Sequence, residues 1–141
     1  MTNSDILREW YARVWEKGDL SAVDELFVPD ATADGLVPEM EVGTEEFKIL
    51  VATIQELITL PRVSVEKTVE QDNWVSGFMT MQAETQDKRK PVHVSGMVLC
   101  RIDDGKIVET YNAFDFVGFF EQLGLLPANT IALCMSGVEI G

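Results

Sequence analysis

From residue 62 to residue 114 the chain consists of four alternating apolar/polar runs joined by turns. They are RVSVEKTVEQ, WVSGFMTMQAET, PVHVSGMVLCRI and KIVETYNAF, separated by Asp72-Asn73, by the charged stretch around Asp87–Lys90, and by Asp103-Asp104-Gly105. Parallel neighbours need a crossover of about a dozen residues or more, and none of these connections has that length. The runs must therefore be antiparallel neighbours, each with one face toward a core.

The residues before them follow a helical period. Asn3, Ser4 and Asp5 are candidate caps for a helix from about residue 4 to Lys17, with Ile6, Leu7, Trp10, Tyr11, Val14 and Trp15 on one stripe. Gly18 is its expected stop, and Asp19 is placed to cap a second short helix, LSAVDELF, ended by Pro29. DATADGLVPEMEVG reads as a strand fragment and a loop. Thr44 caps a third helix whose stripe runs Phe47, Leu50, Val51, Ile54, Leu57, Ile58, with Pro61 as its stop. Phe116 to Leu123 forms a short closing helix before Gly124, and an apolar tail follows without a clear period. Helices first and an antiparallel sheet after them make an α+β fold, and 141 residues make one domain spanning 1–141.

Charge and composition exclude several roles. With 24 acidic and 11 basic residues the net charge is −13. Nucleic acid and anionic lipid surfaces call for basic stripes, so neither is expected as a partner. The two cysteines, Cys100 and Cys134, stand far apart, and His93 is the single histidine, so no zinc site is expected. No signal-peptide core or membrane-spanning run is present, so the expected location is the cytosol.

An enzyme built from these residues would work with carboxylates, a phenol, one imidazole and hydrogen bonds, without a cofactor. That suits proton transfer on a carbonyl compound. Asp115 stands among Phe114, Phe116, Phe119 and Phe120. It is either a cap for the helix that starts at Phe116 or a desolvated acid/base. Tyr11 lies on the first helix's apolar stripe beside Trp15, as a core residue or as a hydrogen-bond donor to a ligand. On the third run, strand parity puts Val92, Val94, Val98 and Cys100 on the core side and His93 on the other, at the outer face or an interface. Phe78 shares a strand face with Thr80, Gln82 and Glu84, which is either solvated or part of a pocket.

Two stretches carry a family resemblance. WYARVWEKGDLSAVDELFVPDAT resembles the opening of the SnoaL-like polyketide cyclases, within the nuclear-transport-factor-2-like superfamily that includes ketosteroid isomerase. GKIVETYNAFDFVGFFEQLGLLP is similar to that family's last strand and terminal helix. The resemblance implies a cone-shaped α+β barrel, a homodimer formed through the outer sheet face, and an apolar pocket for a small hydrophobic molecule. It implies that Asp115 is the general acid/base of an aldol-type closure or proton shuttle and that Tyr11 stabilises the oxyanion. Asn112, Trp15, Phe114, Phe78, Val98 and His93 are the expected substrate contacts. The chain departs from the isomerases near Asp34-Gly35, where glycine replaces the general base, and at Val98, which cannot donate as the second oxyanion acid does. A binding module without chemistry is the alternative. An epoxide hydrolase would need an Asp–Arg–Asp set that this chain does not supply.

Overall fold

The computed structural model describes residues 1–141, and its first helix is fixed by its first residues. Thr2 caps α1 (Asn3–Trp10): its hydroxyl accepts from the Asp5 N–H at 3.1 Å, while the Asp5 carboxylate accepts from the Thr2 N–H at 3.0 Å. Each side chain satisfies an amide that the helix leaves unpaired. The cap therefore sits one residue before the three candidates, with Asp5 as its reciprocal partner. The helix continues as a π-helical stretch, Tyr11–Glu16, in which the Lys17 N–H donates to the Ala12 carbonyl five residues back. Gly18, at φ +68°, turns the chain toward α2 (Ser21–Leu26).

Both prolines expected to stop helices lie inside strands instead. Strand β1 (Phe27–Val37) already begins at Phe27, and Pro29 falls between Phe27 and Thr32, where its pairing register shifts. After β2 (Met40–Val42) and α3 (Thr44–Glu56), strand β3 (Ile58–Gln71) starts within the expected third helix. Pro61 lies between Thr59 and Arg62, at the first register shift of β3, beside Leu60 at φ +53°. Proline lacks the N–H a ladder needs, and an irregular pairing is where that loss is tolerated. The strands β4 (Trp74–Thr85), β5 (Pro91–Asp103) and β6 (Lys106–Phe114) follow, then α4 (Phe116–Gln122) and α5 (Thr130–Met135).

The six strands form one curved sheet, ordered β2-β1-β6-β5-β4-β3, which does not close on itself. The four runs read from sequence are antiparallel neighbours in order, as their turns require. β1 is the exception: it lies parallel to β6 and antiparallel to β2. The fold is α+β, with the helices on the concave face.

That face is the one strand parity marked as core. Val75, Met79, Met81 and Ala83 of β4 are buried on it with Val92, Val94, Val98, Cys100 and Ile102 of β5. Trp10 stacks on Phe27 at 4.2 Å between ring centroids, and Phe47 meets Trp10, Trp15 and Phe27 at 5.2–5.7 Å. These rings lock α1, α3 and β1 together and contribute beyond the area they bury. Gly77 lets α1 approach β4: a Cβ there would lie 2.7 Å from a Leu7 methyl. No helix is long and apolar enough to cross a membrane.

The β1–β6 pairing has a single steric requirement. Gly35 adopts φ +87°, and a Cβ on it would stand 2.1 Å from the Asn112 carbonyl oxygen. Gly35→Ala combines backbone strain with a clash against main chain. It is expected to cost about 2–4 kcal/mol in chemical denaturation, at an unchanged denaturant slope.

Candidate functional site

Between the helices and the concave sheet lies a cavity of about 50 Å³ lined by nine hydrophobic residues: Tyr11 and Trp15 from the π-helical stretch, Ile54 from α3, Met79 and Met81 from β4, Val94 from β5, Phe114 at the end of β6, and Phe116 and Phe119 on α4. Nothing charged touches it. A ligand there would gain hydrophobic burial and give up hydration of its polar groups, which selects neutral, largely apolar molecules.

Tyr11, with its phenol, and Trp15, with its indole N–H, are the lining residues that carry polar groups, although the surface turned to the cavity is apolar. Tyr11 is 2% exposed, and burial, with a smaller contribution from neighbouring Cys100, pushes its phenol well above the ordinary range. No hydrogen bond contributes to that shift. The hydroxyl is thus protonated at neutral pH. Cys100, fully buried below it, is pushed up to about 12 by desolvation and is a neutral thiol. The π-helical stretch that carries Tyr11 and Trp15 has no simple sequence signature. Such insertions recur at functional sites because they re-aim side chains without breaking the helix.

Phe114 reaches the cavity because β5 makes room for its ring. A Cβ at Gly96, its strand partner, would lie 2.0 Å from the ring's Cδ1 atom. Phe114 meets Phe116 edge-on, with centroids 6.1 Å apart.

Asp115 takes the geometry of a helix cap. β6 stops at Phe114, so strand alternation no longer fixes where Asp115 points. The carboxylate accepts a hydrogen bond from the Gly118 N–H at 2.9 Å, and the residue is exposed and outside the cavity lining. Satisfying one of the first free amides of α4 is an ordinary cap's work.

The other expected contacts divide by face. Asn112 is on the concave side, but its amide donates to the Asp34 carbonyl and to the Thr110 hydroxyl, each at 2.9 Å, tying β6 to β1. Val98 is buried in the core without lining the cavity. Phe78 and His93 are on the opposite face of the sheet. Phe78 pairs with exposed Met97, and His93 lies with Arg62, Gln82 and Glu84 in a groove of about 500 Å³. Parity decides this, since Met79, Met81 and Val94 point inward and their strand neighbours cannot. The same parity could have marked Met79, Met81 and Val94 as lining, whereas nothing in the sequence signals that Phe116 and Phe119 fold back over them. No cluster of three or more His, Cys, Asp or Glu side chains is arranged to hold a metal ion.

Several known proteins share this architecture. The family model of the SnoaL-like domain matches residues 7–110. IdmH of Streptomyces antibioticus, a candidate polyketide cyclase, superposes with a TM-score of 0.77 at 22% identity, over 88% of this chain and 99% of that one. A candidate polyketide cyclase from Acidithiobacillus ferrooxidans gives 0.76 at 19%, over 86% and 94%. A Catenulispora acidiphila protein with a ketosteroid isomerase-like fold, solved with trimethylamine, gives 0.75 at 21%, over 91% and 98%. At these identities the structures establish the fold. No curated protein sequence matches the chain.

The cap geometry makes a direct prediction. Asp115→Ala should lower stability by about 1 kcal/mol in thermal or urea unfolding, whereas Asp115→Asn, which can still accept from Gly118, should stay within a few tenths.

Proposed function

The chain belongs to the SnoaL-like domain family, and from that premise we propose that it is a cyclase- or isomerase-type protein acting on a small, neutral, apolar carbonyl compound held in the cavity. The observation that carries this reading is the buried, protonated Tyr11 phenol on a wall of a cavity that no charged group lines. A carbonyl oxygen on Tyr11 would gain a hydrogen bond in a low-dielectric site. That bond strengthens as negative charge builds on the oxygen during enolisation. Trp15 and Phe114 hold the ligand's apolar body against the sheet. Asp115, joined through the backbone to two cavity walls, is the proposed proton carrier; to act, its carboxylate exchanges the Gly118 amide for the substrate. No cofactor enters the scheme.

A second reading keeps the cavity and removes the chemistry. It is favoured by the exposure of Asp115 and its bond to Gly118, which leave the cavity without a carboxylate in its lining. The two readings separate on α-proton exchange of 2-tetralone in D2O, followed by NMR. The enzyme reading expects exchange well above the buffer rate, lowered about 100-fold by Tyr11→Phe and to background by Asp115→Asn. Binding of the ketone with exchange at the buffer rate would establish the binding module instead.

The proposed partner beyond the ligand is a second copy of the chain, and the protein is proposed to work in the cytosol. Met97, Leu99 and Tyr111, 42–52% exposed, stand on the outer sheet face near Phe78, an apolar patch suited to a homodimer. Leu99→Glu should convert a dimer to a monomer in analytical ultracentrifugation; a wild-type chain that sediments as a monomer would remove this part of the proposal.

A further inference from the structure

The edge of β5 is longer than the strand that covers it. β6 ends at Phe114, opposite Gly96, so Pro91 to Ser95 have no strand beside them on that side. Helix α4 closes the gap. The Asp115 N–H donates to the Ser95 carbonyl at 3.2 Å, the last main-chain rung. The next position is filled by a side chain: the His93 N–H donates to Gln122 Oε1 at 2.7 Å, and Gln122 Nε2 donates to the His93 carbonyl at 2.8 Å. Nε2 also donates to the Gly118 carbonyl at 2.9 Å, which holds the amide against its own helix. One glutamine thus does for His93 what a residue of a sixth-strand extension would do.

Those contacts hold a wall of the cavity in place. Phe116 and Phe119, both on α4, line it, and Phe119 is 2% exposed. The sheet walls are bound into continuous ladders, and Tyr11 and Trp15 belong to a helix locked by the aromatic layer. α4 is seven residues long and hydrogen-bonds to the sheet through Asp115 and Gln122 alone. α5 is joined to α4 by the Thr130 N–H on the Glu121 carboxylate at 3.1 Å. About 50 Å³ is below the roughly 150 Å³ of a cavity that takes benzene, so a wall must move for a ring-sized ligand to be enclosed.

We propose that α4 is a lid hinged at Asp115, and that Gln122 is the latch that sets its closed position. Releasing the two Gln122–His93 bonds swings Phe116 and Phe119 off the cavity and admits a neutral aromatic or alicyclic ligand. The hinge sits at the strand-to-helix break, where Asp115 has φ −79° and ψ 71°, neither strand nor helix. This inference rests on the cavity being the ligand site. Gln122 acts through the position of α4 and does not touch the ligand.

Amide exchange read by NMR tests it on the intact chain. The neighbouring Val94 amide, on an inward-facing position within the β4–β5 ladder, is the internal reference. In the free protein the His93 amide should exchange at least tenfold faster than that of Val94. Gln122→Ala should remove the remaining protection at His93 and leave Val94 unchanged. Saturating 2-naphthol should slow His93 exchange in the wild type, and stopped-flow fluorescence should show it associating several-fold faster with Gln122→Ala. His93 exchanging as slowly as Val94, or an association rate unchanged by Gln122→Ala, would overturn the latch. Fast His93 exchange with no 2-naphthol binding would instead overturn the ligand-admitting role together with the cavity reading, so the two failures are distinct.

Discussion

The cavity exists because β6 stops before β5 does. Had β6 run on in register, Val117 would stand opposite His93 and the following phenylalanines would alternate between the two sheet faces. The chain instead breaks at Asp115, and the helix it caps turns Phe116 and Phe119 onto the concave side. A strand cannot place residues three apart on one face, but a helix can. The apolar lining thus depends on a capped turn of helix replacing the last rungs of a strand.

The remaining irregularities serve the same geometry. Pro29 and Pro61 fall where β1 and β3 shift register, Gly77 and Gly96 admit Leu7 and Phe114, and Gly35 brings β1 against the Asn112 backbone. Each removes a Cβ or an N–H at a point where a regular strand would collide or lose a bond. The helices can then lie close to the curved sheet, with the aromatic layer of Trp10, Trp15, Phe27 and Phe47 between them.

Asp115 shows how one residue can support two readings from sequence. Its place ahead of a helix called for a cap, and its aromatic neighbours called for a buried acid. The neighbours divide once folded: Phe114, Phe116 and Phe119 turn to the cavity, while the carboxylate turns to the Gly118 amide and solvent. Adjacency in sequence made it look desolvated, yet burial depends on direction, and the strand-to-helix break sets direction. The buried phenol of the site is that of Tyr11, brought to it by a helix whose π-helical turn no residue pattern announced.

Local rules were enough for much of this protein. Alternation and short turns determined β3 to β6 as antiparallel neighbours, and parity separated Met79, Met81, Val92, Val94, Val98 and Cys100 from the outer face holding Phe78 and His93. Spacing determined the helices that carry Tyr11, Trp15 and Ile54. Tertiary structure decided what those rules do not reach. It made Phe27–Val37 a strand parallel to β6, set Pro61 in a strand, and used Gln122 in place of a strand residue at His93. These contacts join residues about 20 to 80 positions apart, where nearest-neighbour preferences carry no information. Only the closing of the curved sheet over the aromatic layer selects them.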